Sequence, residues 1–330
     1  MPLFMLLAGV SAWYSLRQRT TRAYLRERVV RILVPLVIGV LVLVPPQVYL
    51  ERRLRGEFSG SLLAFYPHFF QGIYPQGNFS WHHLWFLGHL FAYAVVALPL
   101  FRWWNTPRGR RQLAWVARLT RRRAGLALLA LPLVLERHLL WGLFPERHML
   151  TSDWSNHALL FVAYLYGFVL AGEPPIEQAM ETQRRPAATA AITGIACIGA
   201  LMWHGELPDH LPPPYSAGYL AFWTLYAIVA WSWMVTVLGW GRRHLVRPMP
   251  APLRSSWLGY LLYLLHQPVI VAVAYVVVPW HAALATKFAS VFVASLAGTV
   301  LATLAVQRVL LFATEALSGC PRGRRFRAPS

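Results

Sequence analysis

Long apolar stretches alternate with short basic segments along almost the whole chain. A helix of about 17–25 mainly apolar residues is long enough to cross the hydrocarbon core of a bilayer. Nine stretches have roughly this length, and each predicts a membrane span: 1–16, 32–50, 84–101, 124–143, 155–172, 186–204, 218–240, 256–278 and 288–312. The pattern therefore predicts an all-α fold, a polytopic transmembrane helix bundle.

The composition agrees with a chain that lies in lipid. Hydrophobic residues make up 57% of the sequence, charged residues 13%, and the mean hydropathy is +0.45. A soluble domain has about 45–50% apolar and about 25% charged residues. A net charge of +19 would suggest a nucleic-acid partner for a soluble protein. Here the arginines lie in short segments between apolar stretches, so we expect a lipid bilayer as partner and no nucleic acid.

Positive charge predicts the orientation, because cytoplasmic loops of membrane proteins collect Lys and Arg. If the start of the first stretch lies outside, all but six of the 31 Lys and Arg residues fall on the cytoplasmic side. This arrangement predicts a cytoplasmic carboxyl terminus. It also divides the chain into a transmembrane domain, residues 1–315, and a short basic cytoplasmic tail, residues 316–330.

Polar residues interrupt the eighth stretch at "YLLYLLHQPVI", residues 260–270. His266 lies ten residues into this stretch, about 15 Å deep at the helical rise. Tyr263, His266 and Gln267 share one helix face, and Pro268 removes the amide that would bond the carbonyl of Leu264. Two interpretations stay open. The polar side chains either bond neighbouring helices, which contributes about 0.6–2 kcal/mol, or line a functional site.

Three histidines in "WHHLWFLGH" raise the question of a metal site. His82 and His89 are seven residues apart, about 10 Å along a helix. One ion with Zn–N bonds of about 2 Å cannot bridge them. We therefore predict no metal site here.

Four stretches in order resemble the membrane-bound acyltransferase 3 family, including its glucan succinyltransferase-like and O-antigen acetyltransferase-like branches. They are "YLLYLLHQPVI", "MPLFMLLAGVSAWYSLR", "RERVVRILVPL" and "HHLWFLGHLFAY". The resemblance extends from the first residue to about residue 275. It implies a bundle of about ten helices in the bacterial cytoplasmic (inner) membrane.

The resemblance also implies an activity. An acyl group of acetyl or succinyl type would pass from a cytoplasmic acyl-CoA, with no bound cofactor, to a hydroxyl of a saccharide or lipid-linked glycan at the outer face. Such a transfer needs a base for the hydroxyl and cations for the CoA phosphates. The residues that we expect to serve are, for catalysis, His83 and His266; for CoA, Arg17, Arg28 and Arg31; and for substrate, Trp85, Tyr263 and Gln267. The alternative for the arginines is an ordinary topology signal and lipid headgroup contact.

One family feature has no counterpart in the sequence. The first family helix carries an Arg followed, after about ten residues, by a His that is the usual candidate base. This chain begins at what resembles the second helix, which implies either a gene model that starts too far downstream or an incomplete and inactive product. Two further functions fit a bundle with polar residues at the midplane: a transporter or exporter, and a non-catalytic membrane scaffold.

Overall fold

The computed structural model describes residues 1–120, 125–144, 153–203, 213–245 and 256–318. Regular structure in these ranges is helical, apart from one bridge between Ile73 and Phe79. A π-helical turn covers Val29–Leu33, and short 3-10 helices cover Tyr66–Phe70 and His82–Leu84. The first eight α-helices are α1 Pro2–Gln18, α2 Thr21–Arg28, α3 Val34–Val42, α4 Val44–Leu54, α5 Leu62–Phe65, α6 Trp85–Val96, α7 Leu98–Trp104 and α8 Pro107–Thr120. The others are α9 Gly125–Leu128, α10 Leu131–Leu140, α11 Trp154–Gly172, α12 Pro174–Trp203, α13 Ala217–His244, α14 Ser256–Val277 and α15 Leu284–Ser318.

The predicted all-α membrane bundle is confirmed, with fewer uninterrupted spans than the nine apolar stretches. Six described helical segments are long and apolar enough to cross a membrane: Thr21–Leu54, Trp154–Gly172, Pro174–Trp203, Ala217–His244, Leu258–Val277 and Leu284–Leu310. The stretch 84–101 is a helix pair bent by 48°. The stretch 124–143 is divided between α9 and α10, with Pro132 at the start of α10. The stretch 1–16 is the 17-residue α1.

The chain divides into two compact units. Unit 1 comprises Met1–Val34 and Trp85–Pro248, and unit 2 comprises Pro35–Leu84 and Met249–Ser330. The predicted tail falls at the end of unit 2, and its residues 319–330 lie outside the described ranges.

The helices α1 and α11 pack in close contact in unit 1. A methyl group added at Gly9 would overlap the carbonyl oxygen of Tyr164, and one added at Gly167 would overlap the carbonyl oxygen of Leu6. Each helix therefore presents a glycine to the backbone of the other, as small residues commonly do between membrane helices. Around this contact lies a buried apolar core that includes Leu133, Leu170 and Trp231 on α10, α11 and α13.

In unit 2, α14 packs against α15 and α4. A methyl group added at Gly298 of α15 would lie 3.0 Å from Cγ1 of Val269 on α14, so these two helices are also in close contact.

A single arginine organises the segment that follows α4 in unit 2. Arg52, only 8% exposed, donates to the carbonyl oxygens of Pro75 and Gly77 at 2.8 Å each and to Oδ1 of Asn78 at 2.9 Å. Its guanidinium also pairs with the Glu57 carboxylate at 2.7 Å. The segment is therefore folded back onto the end of α4. Burial, with the neighbouring Glu51 carboxylate, raises the pKa of the Tyr74 hydroxyl in this segment.

Candidate functional site

Two predicted catalytic histidines and a predicted substrate tyrosine form one cluster in unit 2. The ring of His83, in the 3-10 turn His82–Leu84, lies 5.1 Å from that of His266 and 5.7 Å from that of Tyr263, both on α14. The Tyr263 and His266 rings are 5.8 Å apart. Each of the three rings therefore contacts the other two. The fold brings His83 and His266 together although they are far apart in sequence.

Pro268 explains why the backbone of α14 can accept a hydrogen bond from His83. The helix runs through Pro268 without a break. Because proline has no amide hydrogen, the carbonyl of Leu264 lacks its ordinary intrahelical partner. Nε2 of His83 lies 3.1 Å from that carbonyl oxygen. A carbonyl oxygen can only accept, so Nε2 carries the proton and donates it. Pro268 thus makes the carbonyl oxygen of Leu264 available to His83 without interrupting the helix.

This hydrogen bond assigns the tautomer of His83. A neutral imidazole with its proton on Nε2 has a lone pair on Nδ1. His83 is 7% exposed, and its Nδ1 is buried without a hydrogen-bond partner among the described residues. Chemically, this atom can accept a proton from a hydroxyl group that enters the cluster.

The other two rings are also fixed by the backbone. Nδ1 of His266 donates to the carbonyl oxygen of Tyr263 at 2.6 Å, which leaves the lone pair of neutral His266 on Nε2. The Tyr263 hydroxyl donates to the carbonyl oxygen of His83 at 2.5 Å. Tyr263 therefore holds the histidine backbone in place. Gln267 is half-buried on the same helix and takes no part in these ring contacts.

Trp85, the other predicted substrate residue, belongs to unit 1. It begins a series of ring contacts there, the first of them edge-to-face. The Trp85 ring lies 5.0 Å from that of His89, and the His89 ring stacks on His157 at 4.6 Å with an interplanar angle of 23°. Nδ1 of His89 donates to the carbonyl oxygen of Trp85 at 2.8 Å. Nδ1 of His157 lies 2.8 Å from the Tyr93 hydroxyl.

The predicted CoA-binding arginines differ in their surroundings. Arg28 is 9% exposed, and its guanidinium carbon lies 4.7 Å from the ring centre of Tyr24. The Tyr24 hydroxyl is 3.2 Å from that of Tyr164, whose ring lies 6.4 Å from Tyr93. Aromatic hydroxyl groups thus extend within unit 1 from Arg28 towards the stacked histidines. Arg17 lies over the Trp13 ring at 4.6 Å.

Of the three predicted CoA-binding arginines, Arg31 lines an open cleft of 710 Å³, whereas Arg17 and Arg28 do not. The cleft is lined by Arg19, Thr20, Arg22, Ala23, Arg26, Glu27, Val30 and Arg31. Glu27 pairs with Arg19 and, at 3.1 Å, with Arg31. Four arginines and one glutamate leave the cleft strongly positive. Such a surface suits phosphate groups, because guanidinium binds phosphate oxygens in a bidentate manner.

Sequence reasoning missed four residues of these arrangements: Arg19, Arg22, Arg26 and Tyr93. Helical spacing could have indicated Tyr93, because His89 and Tyr93 are four residues apart. The arginines were overlooked because the topology signal explains a basic loop equally well. Among the described residues, no three His, Cys, Asp or Glu side chains come together to hold a metal ion.

Comparison with known proteins adds one match. The acyltransferase 3 family model, described as an acyltransferase domain, matches residues 1–307. No curated protein and no solved structure matches the chain significantly.

Proposed function

Because the chain belongs to the acyltransferase 3 family, a family of membrane acyltransferases, we propose that it moves an acetyl- or succinyl-type group from a cytoplasmic acyl-CoA to a hydroxyl of a glycan. The glycan is a saccharide or lipid-linked glycan at the outer face of the bacterial inner membrane. The helices that can span a membrane and the cluster of imidazoles support this proposal.

The lone pair on Nδ1 of His83 is the observation that carries the proposal. A general base needs a lone pair that is held in one direction and is not used by the protein. The Leu264 carbonyl occupies Nε2–H, and the buried Nδ1 has no partner among the described residues. The rings of His266 and Tyr263 both contact the imidazole ring of His83. We assign His83 as the base, with His266 as a second imidazole in contact with the acceptor.

The reaction that these groups would support is direct transfer. The acceptor hydroxyl oxygen bonds to the thioester carbonyl carbon, while its proton passes to Nδ1 of His83. The carbon–sulfur bond then breaks, and the CoA thiolate leaves with the electron pair. The imidazolium gives up its proton, and the thiolate takes one up. The products are a glycan ester and free CoA, so atoms and charge balance and no redox partner is needed.

The arginine cleft supports the donor half of the proposal. We assign Arg31, with Arg19, Arg22 and Arg26, to the CoA phosphates, because these residues line one positive cleft. Arg28 and Arg17 have a different place, each stacked on an aromatic ring. Arg28 is assigned to the donor arm that enters the protein, since its buried Nε has no hydrogen-bond partner among the described residues.

The proposal is tested by the masses of surface glycans. Cells that express the chain should yield glycans heavier by one acetyl or succinyl group, and mild alkali should remove the added mass because esters are base-labile. His266→Gln should reduce the ester content. Unchanged glycan masses together with export of a labelled saccharide would replace the enzyme proposal with the transporter. Unchanged masses and no transport would favour the scaffold.

A further inference from the structure

The helix α8 lies in unit 1 between two apolar stretches, 84–101 and 124–143, and both of its ends are closely packed. A methyl group added at Gly109, near its start, would overlap the carbonyl oxygen of Trp103 on α7. One added at Gly125, where α9 begins, would overlap the carbonyl oxygen of Leu119 on α8. Because α8 is held against the ends of both apolar stretches, it stays at the edge of the membrane.

One face of α8 is covered by the protein. Its buried residues are Gly109, Leu113, Ala117 and Thr120, which are spaced as residues on one side of a helix are. Leu113 and Ala117 belong to the apolar core of unit 1. At the start of the helix, the Thr106 hydroxyl accepts from the backbone amide of Gly109 at 3.3 Å. The burial of this face fixes which side of α8 points away from the core.

The opposite face of α8 carries three arginines and one tryptophan, and all four side chains are exposed. They are Arg108, Arg111, Trp115 and Arg118. At 3.6 residues per turn, these positions lie within about 80° of the helix circumference. Trp115 is 57% exposed. We call these four residues the basic stripe of α8.

The charge of the basic stripe is not neutralised by the protein around it. Among the described residues, no ion pair joins one of its three arginines to an acidic side chain. The interaction of Glu173 with α8 is with Arg110, on another side of the helix. Residues 121–124 and 246–255, outside the described ranges, contain arginine but no Asp or Glu. They therefore add positive charge on the same predicted side of the membrane.

The combination of guanidinium groups and an exposed indole selects the partner. Guanidinium binds phosphate oxygens, and tryptophan is enriched at the level of the lipid headgroups. Helices with a basic face and an exposed indole lie in the membrane interface, where anionic lipids attract them. The basic stripe has no residue in common with the arginine cleft. A stripe along the outer side of a helix fits a lipid surface, whereas an enclosing cleft fits a soluble nucleotide.

We propose that the basic stripe of α8 is a binding surface for anionic phospholipids in the leaflet on the predicted cytoplasmic side. The guanidinium groups of Arg108, Arg111 and Arg118 donate to the lipid phosphate oxygens, and the indole of Trp115 lies among the headgroups. Lipid binding of this kind goes beyond the proposed acyl transfer and does not depend on it, so it is measured without donor or acceptor.

The experiment measures which lipids touch Trp115. The full chain is placed in phosphatidylcholine nanodiscs that contain, as the probe, either brominated phosphatidylglycerol or equally brominated phosphatidylcholine. Bromine quenches indole fluorescence on contact, and subtracting the signal of the same protein with Trp115→Phe isolates Trp115. We expect brominated phosphatidylglycerol to quench Trp115 more strongly. The difference should shrink at 1 M salt, where the Debye length falls to about 3 Å.

Replacing Arg108, Arg111 and Arg118 together by glutamine should lower this preference about fivefold or more, because each basic side chain near an anionic surface strengthens binding by about fivefold. The matched control replaces Arg185, Arg243 and Arg308 together by glutamine. These three residues are also exposed, lie on three other helices and remove the same net charge. The control should keep the preference of the wild type.

Thermal midpoints of the two triple variants show that each is folded. Equal quenching of Trp115 by the two lipids in the wild type would overturn the lipid surface. Equal loss of the preference in both triple variants would also overturn it, since net charge rather than α8 would then attract the lipid. Loss of the preference on addition of free acyl-CoA would show instead that the basic stripe binds soluble phosphates. Ester formation has no part in these outcomes, so they leave the acyl-transfer proposal to its own test.

Discussion

At the scale of single residues, the proposed chemistry depends on which nitrogen of His83 carries its proton. Glutamine can place an N–H where Nε2 donates to Leu264, but it has no basic lone pair. We therefore expect His83→Gln to fold normally and to lower the rate of ester formation by about 10²–10⁴-fold, the usual contribution of a general base. The measurement is the initial rate in membrane vesicles with acyl-CoA and acceptor glycan.

His68→Gln is the matched control for this substitution. Nδ1 of His68 also bonds a backbone carbonyl, that of Ala64 at 3.0 Å, but the residue is exposed. It should keep the wild-type rate. A His83→Gln variant as fast as His68→Gln would show that the base lies elsewhere.

The sequence reveals one side of this cluster and hides the other. His266, Gln267 and Pro268 are visible because they break a local apolar pattern, and local patterns are readable from one sequence. The bond from His83 to Leu264 joins residues 181 positions apart. The periodicity of a sequence cannot predict such a long-range contact, because the contact depends on how the helices pack. The stacking of His89 on His157 was hidden for the same reason.

At the scale of helices, Pro268 destabilises α14 and leaves the carbonyl of Leu264 without its intrahelical hydrogen bond. Pro268→Ala would restore the amide that bonds Leu264, and proline in a helix interior costs about 3 kcal/mol relative to alanine. The restored bond would compete with His83 for the same carbonyl oxygen. We expect a higher melting temperature together with a rate about tenfold lower, as misplacement of a catalytic group produces.

Pro186→Ala separates these two effects. Pro186 also lies inside a helix, α12, and frees the carbonyl of Thr182 in the same way. This variant should raise the melting temperature and leave the rate unchanged. Two proline variants that affect the rate equally would contradict the role that we assign to Pro268.

The glycine contact between α1 and α11 gives a prediction about stability. Gly167→Ala would force a methyl group onto the backbone of Leu6, and overpacking of this kind costs about 1–3 kcal/mol. Differential scanning fluorimetry in detergent should show a lower melting temperature. Gly199→Ala is the control, because an added methyl group there meets nothing within 4 Å. It should be neutral or slightly stabilising, and an equal loss in both variants would mean that helix contact is not the cause.

Helix boundaries show where sequence patterns lose information. The stretches 155–172 and 256–278 match α11 and α14 within one or two residues, because an apolar run ends where polar residues begin. The stretch 32–50 extends in the structure to Thr21–Leu54. Charge alone would place Arg52 and Arg53 in a loop, but both belong to α4. The helix can include Arg52 because its guanidinium donates hydrogen bonds to the segment that folds back onto α4.

At the scale of the whole molecule, the excess of arginine has two consequences that can be separated. The first is phosphate binding by the arginine cleft. Replacing Arg22 and Arg26 together by alanine should raise the KM for acyl-CoA about tenfold or more and change kcat little, because charged hydrogen bonds to phosphate contribute about 1.5–3 kcal/mol.

Arg108→Ala with Arg111→Ala is the control for net charge. These two residues are exposed on α8, outside the cleft and on the same predicted side. The pair should leave the KM near that of the wild type. If both double variants raise the KM equally, overall charge, rather than the cleft, attracts the donor.

The second consequence is orientation in the membrane. Placing an arginine in the middle of a membrane helix costs about 2.5–3.5 kcal/mol on insertion scales, and 25 of the 31 basic residues lie on the predicted cytoplasmic side. Reversal of the whole bundle would carry this charge to the outer face. We expect alkaline phosphatase to be active when fused after Gly60, in the segment that follows α4, and inactive when fused after Thr106 or Leu310. Green fluorescent protein should show the opposite pattern. Active phosphatase at Thr106 would invert the topology, and the arginine cleft would then face away from cytoplasmic acyl-CoA.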